Sequence, residues 1–156
     1  MFSSVRHQFL GYFIGLLLVV SLPFMGRAQD LENPPVGEKS NGIVFADVSF
    51  KEALRQAGLQ NKHVFVDAYA SWCGPCKLLK ATTFHNKKAA EFYNANFINI
   101  SIDMEKGEGP YLAGAWGIQA YPTLIIFDSN GTAVLGTMGY MSAGDLIKFG
   151  KQALGK

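Results

Sequence analysis

The chain contains two cysteines, and they stand two residues apart in Trp72-Cys73-Gly74-Pro75-Cys76-Lys77. Thiols at i and i+3 share one helical face, and two intervening residues suffice to close a ring between them. An apolar run over residues 63–70 leads into the pair, and a helix-compatible stretch, residues 77–82, follows it. A helix N-terminus carries unpaired N–H groups and a partial positive charge, and both favour thiolate over thiol. The chemistry this predicts is thiol–disulfide exchange. Cys73, at the exposed start of the helix, attacks a disulfide, and Cys76, one turn further in, resolves the mixed disulfide that results. Pro75 lacks an N–H and suits a first helical turn, so Gly74 and Pro75 set the backbone of the ring.

Two blander chemistries compete. A structural staple is weak, because closing a loop of about four residues contributes only ~2 kcal/mol, against ~3 for fifteen. A zinc site is weaker still, since only His63 and His85 remain as partners downstream of the N-terminal segment, with no second cysteine pair. No metal is expected, and no cofactor beyond a redox-active Cys73–Cys76 disulfide. Asp67 is a carboxylate in the middle of the apolar run. Burial raises such a pKa, which suits it to take or give a proton for Cys76; the alternative is a buried hydrogen-bond acceptor.

The elements that must hold these residues follow from local signals. Residues 43–46 read as a short strand. Ser49 with Glu52 three residues on forms a capping box for a helix that Gly58 ends. Val64, Phe65, Val66, Ala68 and Tyr69 make a nearly continuous apolar strand, expected in a sheet covered on both faces. The helix after Cys76 breaks near residues 82–86 and resumes to about residue 94. Ile98, Ile100 and Ile102 alternate with Asn99 and Ser101, a strand with one apolar face. Pro110 starts a helix that Gly117 stops. Ser129-Asn130-Gly131 joins two strands into a hairpin, and Ser142 caps a last helix that packs through Leu146, Ile147, Phe149 and Leu154. The order β-α-β-α-β-α-β-β-α predicts an α/β fold with a central mixed sheet flanked by helices.

The N-terminus has a different composition. Arg6 and His7 precede an apolar stretch, residues 9–22, then Pro23, and Gly26-Arg27-Ala28 supplies small residues at a cleavage site. Residues 1–28 read as a secretory signal peptide, 29–42 as a polar tether and 43–156 as one domain. The apolar stretch is shorter than the ~20 residues of a membrane span, so an uncleaved anchor is the lesser alternative. The full chain has 14 Lys+Arg against 12 Asp+Glu; Arg6 and Arg27 lie in the signal, so 12 of each remain. A neutral mature chain, residues 29–156, gives no reason to expect nucleic acid or an anionic membrane as partner.

Several of these features recur together in one family. Val66-Asp67 precedes the first cysteine, Trp-Cys-Gly-Pro-Cys-Lys follows, Gly117-Ile118 leads to Tyr121-Pro122-Thr123, and Gly131 and Gly139 bracket the last hairpin strand. From about residue 61 to the C-terminus the chain resembles a thioredoxin. Thr83-Phe84 and residues 97–103 also resemble the thioredoxin-like domains of exported or membrane-linked disulfide reductases. The resemblance implies a thioredoxin fold, a proton-transfer role for Asp67, and a reductant, because Gly-Pro between the cysteines marks reductants whereas oxidases and isomerases usually carry a His there. It implies a cis Pro122 facing the cysteines, which presents the Tyr121 backbone to an extended substrate and keeps metal away; the alternative is an ordinary trans proline at a strand start. Trp72 is expected to border the site and shield Cys73, and Trp116 to lie in the core. Tyr69 stands where thioredoxins frequently have Trp, and Tyr121 where Ile or Val is common. Asn99 stands where the family often has a lysine, so the ion pair that would hold Asp67 charged is expected to be missing.

The expectation is therefore an exported, monomeric protein-disulfide reductase of a periplasm-like compartment. Its partners are disulfide-bearing client proteins and a membrane thiol-electron donor. A disulfide oxidase or isomerase, or a redox-inactive binding module on the same fold, are the alternatives.

Overall fold

The computed structural model describes residues 41–156; the signal-peptide reading of 1–28 and most of the tether lie outside the described residues. The elements in chain order are α1 (Phe50–Gln60), β1 (His63–Tyr69), α2 (Gly74–Ala81), α3 (Lys87–Asn96), β2 (Phe97–Asp103), α4 (Gly109–Trp116), β3 (Thr123–Phe127), β4 (Ala133–Met138) and α5 (Ala143–Ala153). They form one four-stranded mixed sheet in the order β2-β1-β3-β4. β1 runs parallel to β2 and antiparallel to β3, and β3 pairs antiparallel with β4. The parallel pair needs a crossover, which α2 and α3 supply.

Alternation along the strands builds two cores. Phe65, Phe97, Leu124 and Ile126 face one side, under Leu79 of α2, Ala89 and Tyr93 of α3, and Leu146 and Phe149 of α5. Val64, Val66, Ala68, Ile98, Ile100, Ile102, Ile125 and Phe127 face the other, under Ala53 and Ala57 of α1 and Leu112 of α4. β1 lies at the centre with five consecutive buried residues, Val64 to Ala68, which is why its sequence reads as a continuous apolar run interrupted by Asp67 alone. Trp116 packs against Phe50 and Phe127 at the edge of the second core. α5 approaches α3 closely at Gly150, where a Cβ would meet the Phe92 ring at 2.6 Å.

Two expectations are corrected. Residues 43–46 are not a strand. They run beside β2 held by one backbone bond, Ala46 N–H to Asn99 O at 2.8 Å, and the Asn99 side-chain amide donates to Val44 O at 3.2 Å. A side chain here does the work of a ladder, so no regular pairing develops. Gly58 does not end α1, which continues to Gln60 and stops at Asn61 in the left-handed conformation, φ 51°. Asn tolerates that conformation. The box at the helix start is half formed: Ser49 Oγ accepts from the Glu52 amide, while the Glu52 carboxylate turns to Arg55 and Gln56.

Candidate active site

The cysteines form a disulfide, Cys73–Cys76, at the junction where β1 feeds α2. Cys73 is the N-cap of α2 in extended conformation, and its Sγ accepts the Cys76 amide at 3.1 Å. A sulfur thus occupies the position usually held by a Ser or Asp oxygen, in the field of the helix terminus, which stabilises negative charge on that atom. Gly74 and Pro75 fill the first turn, exposed to solvent.

The expected exposure of Cys73 is not observed. Cys73 is 2% and Cys76 1% exposed. Ala70 closes over them, with Tyr69 and Tyr121 packed against the cluster. Trp72 is instead turned outward, 67% exposed. Its ring meets Tyr121 edge-on at 6.0 Å, and its indole N–H is shared by the two Glu105 oxygens at 3.0 and 2.9 Å. The Tyr121–Pro122 bond is cis, Pro122 is buried, and its carbonyl accepts the Gly139 amide at 2.7 Å. Gly139 has φ 93°, a conformation that favours glycine and explains the residue at that bend. Lys77 lies exposed on α2.

Asp67 is completely buried on the face of β1 beneath α2. Ser101 Oγ, from the paired position on β2, donates to its Oδ2 at 2.8 Å. The charge partner expected to be missing is present. Lys80 Nζ lies 3.7 Å from Oδ2 and 3.2 Å above the centre of the Tyr69 ring. Asn99 does stand at the family's lysine position, but the cation reaches the carboxylate from α2. Burial pushes the Asp67 pKa up to about 6, against the opposing pull of Ser101 and Lys80. Its Oδ1 has no protein partner. Sequence reasoning missed both Lys80 and Ser101. For Lys80 a signal was present: it falls four residues after Cys76, one turn along the same helical face. Lys80 and Ser101 also line a cleft of about 350 Å³ with Phe45, Tyr69, Phe84 and His85.

The structure therefore brings Cys73, Cys76, Trp72 and Tyr121 into one neighbourhood and places Asp67 beneath the helix that carries the cysteines. A ring of this kind can open by accepting two electrons and close by donating them. A buried carboxylate that titrates close to neutrality can take or return the accompanying proton. Among the described residues no group of three or more His, Cys, Asp or Glu is placed to hold a metal.

Comparison with known proteins agrees with this arrangement. The chain is 35% identical over 86 residues to a thioredoxin of Mycoplasma genitalium, covering 55% of this chain and 78% of that one. It is 26% identical over 152 residues to the thiol:disulfide interchange protein DsbD of Campylobacter jejuni, covering 94% of this chain but only 27% of that longer protein. Among solved structures, a candidate disulphide-isomerase from Bacteroides thetaiotaomicron superposes with a TM-score of 0.66 at 42% identity, covering 72% of this chain and 93% of that one. The model of the thioredoxin-like domain matches residues 50–154, and with the disulfide-bonded cysteine pair at the start of α2 the chain belongs to the thioredoxin-like thiol–disulfide oxidoreductase family.

Proposed function

We propose that this protein is an exported reductase of protein disulfides. The Cys73 sulfur carries the reading: it caps α2, where amide and helix dipole favour the thiolate that attacks a client. In the reduced protein, Cys73 S⁻ attacks one sulfur of the client disulfide and expels the other as thiolate. Cys76 gives its proton to Asp67, and its sulfur attacks Cys73. The second client sulfur leaves reduced, and the Cys73–Cys76 bond closes. Two electrons pass from the protein to the client. Gly74-Pro75 supports the reductive direction, because no imidazolium stands between the cysteines to stabilise the thiolate further and make the pair more oxidising. Trp72, Tyr121 and Pro122 border the place where a client chain would dock.

The leader over residues 1–28 supports export to a periplasm-like space. Such a space is oxidising, so the pair must be recharged by a thiol donor, most simply one in the membrane. Similarity to a thiol:disulfide interchange protein is consistent with that partner. A second reading, disulfide isomerisation, is favoured by the 42% identity to the Bacteroides candidate isomerase.

Replacement of the cysteines tests the reading. Cys73→Ser should abolish reduction of insulin disulfides, and Cys76→Ser should accumulate mixed disulfides with clients; undiminished reduction by Cys73→Ser would overturn it. Equilibration with glutathione separates the two directions: a potential near about −270 mV marks a reductase, one near about −180 mV an isomerase. N-terminal sequencing of the exported protein should begin at Gln29.

A further inference from the structure

Asp67 can act in exchange only if it changes protonation near working pH, and burial opposes that by disfavouring its charge. The group that opposes burial comes from α2, the same helix that carries the cysteines. Cys76 and Lys80 are four residues apart and share one helical face, and the contact between Lys80 and Asp67 shows that this face looks down on the carboxylate. The Lys80 side chain is 39% exposed, and its ammonium is fixed over the Tyr69 ring. Such a contact attracts the ammonium to the ring face and favours this position of the side chain.

Among the charged groups around the site, Asp103 also feels the Lys80 charge, but Asp67 is the carboxylate that Lys80 reaches, at 3.7 Å. Asp103, at the end of β2, is engaged by Lys106 at 3.0 Å. Ser101 on β2 is a neutral donor to Asp67, and β3 sets apolar Leu124 opposite it. His85 also lines the cleft, its Nδ1 bonded to Asn41 O at 2.8 Å. Tyr69 on β1 supports Lys80 through its ring face, and Cys76 is the thiol whose proton is at issue.

We propose that Lys80 is a positioning residue for the exchange reaction, holding Asp67 ready to accept the Cys76 proton. The inference rests on the reading of Asp67 as the proton acceptor. Electrons move only between sulfurs. The proton passes from Cys76 Sγ to the Asp67 carboxylate, and from there to water in the cleft that Lys80 and Ser101 line. The neighbouring Lys80 charge lowers the pH at which Asp67 becomes a competent base, and it does so from a lysine carried by the helix and not by β2.

The test is carboxyl ¹³C NMR titration of Asp67 in the full chain, beside the pH profile of insulin reduction. Lys80→Met and Lys80→Gln should each raise the Asp67 midpoint by about one pH unit and move the rising limb of the rate profile alkaline by the same amount. Lys80→Arg should restore both. A midpoint unmoved in Lys80→Met and Lys80→Gln overturns the role of Lys80 and leaves the reductase reading intact. A midpoint that rises while the rate profile stays in place overturns Asp67 as the proton acceptor, and the positioning role falls with it.

Discussion

At the scale of single residues, Asp67 sets stability against function. Unfolded, it gives up its proton near the ordinary value of 3.8; folded, it keeps the proton to about 6. Between these values the folded chain binds more protons than the unfolded one, so its stability falls as pH rises through the window. Above the window the deficit is complete, about 3 kcal/mol at 1.36 kcal/mol per unit. Asp67→Asn should therefore be more stable than the natural chain at alkaline pH by up to about 3 kcal/mol. The gain should vanish below the window, as urea unfolding at the two extremes would show. The same variant should slow client reduction. The cysteine pair and Asp67 were legible in the sequence because their signals are local: a spacing of three, and one charge in an apolar run. The spacing of Lys80 from Cys76 was a weaker signal, because a lysine on a helix is ordinarily solvated and only the crossing of α2 over β1 brings it to its partner. The burial of Cys73 was hidden, since Tyr121 closes over it from a loop far along the chain.

At the scale of elements, helix starts were the clearest marks. Ser49, Asn86 and Ser142 each cap a helix with a side-chain oxygen, though only Ser49 and Ser142 had been singled out. Ser142 also donates to Asp145 Oδ2 at 2.7 Å while accepting the Asp145 amide. This cap orients α5, whose Leu146 and Phe149 close the first core. Ser142→Ala should cost about 1 kcal/mol by chemical denaturation without changing the reduction potential. The end of α1 and the first segment depart from expectation, one through a left-handed backbone turn at Asn61 and the other through side-chain bonding by Asn99. Asn61 stops α1 in place of Gly58, and Asn99 ties down residues 43–46, so no pattern of period two was required there.

At the scale of the whole molecule, the mixed sheet between two helical layers was legible because strand and helix signals alternate and then end in a hairpin. The strand order was not, since pairing partners are chosen by the twist and packing of the entire sheet. The segment before α1 is part of the folded unit. Ile43 is buried in the first core and its amide donates to Phe84 O at 2.7 Å, while Phe45 packs against Phe84 and Phe65. A chain beginning at Gln29 should unfold as the full domain does. One beginning at Asp47 should lose about 3–5 kcal/mol, the order expected for deleting two large apolar side chains, measured as a lowered urea midpoint.

The enclosure of Cys73 and Cys76 reaches beyond the site. A small thiol or peroxide arriving from bulk water meets ring edges and backbone before it meets sulfur. A macromolecular partner that fits the surface can bring its own sulfur in along a fixed line. Enclosure of this kind should slow attack on the Cys73–Cys76 disulfide by small thiols relative to a docked protein thiol, so that shape as well as potential sets which partners exchange with it.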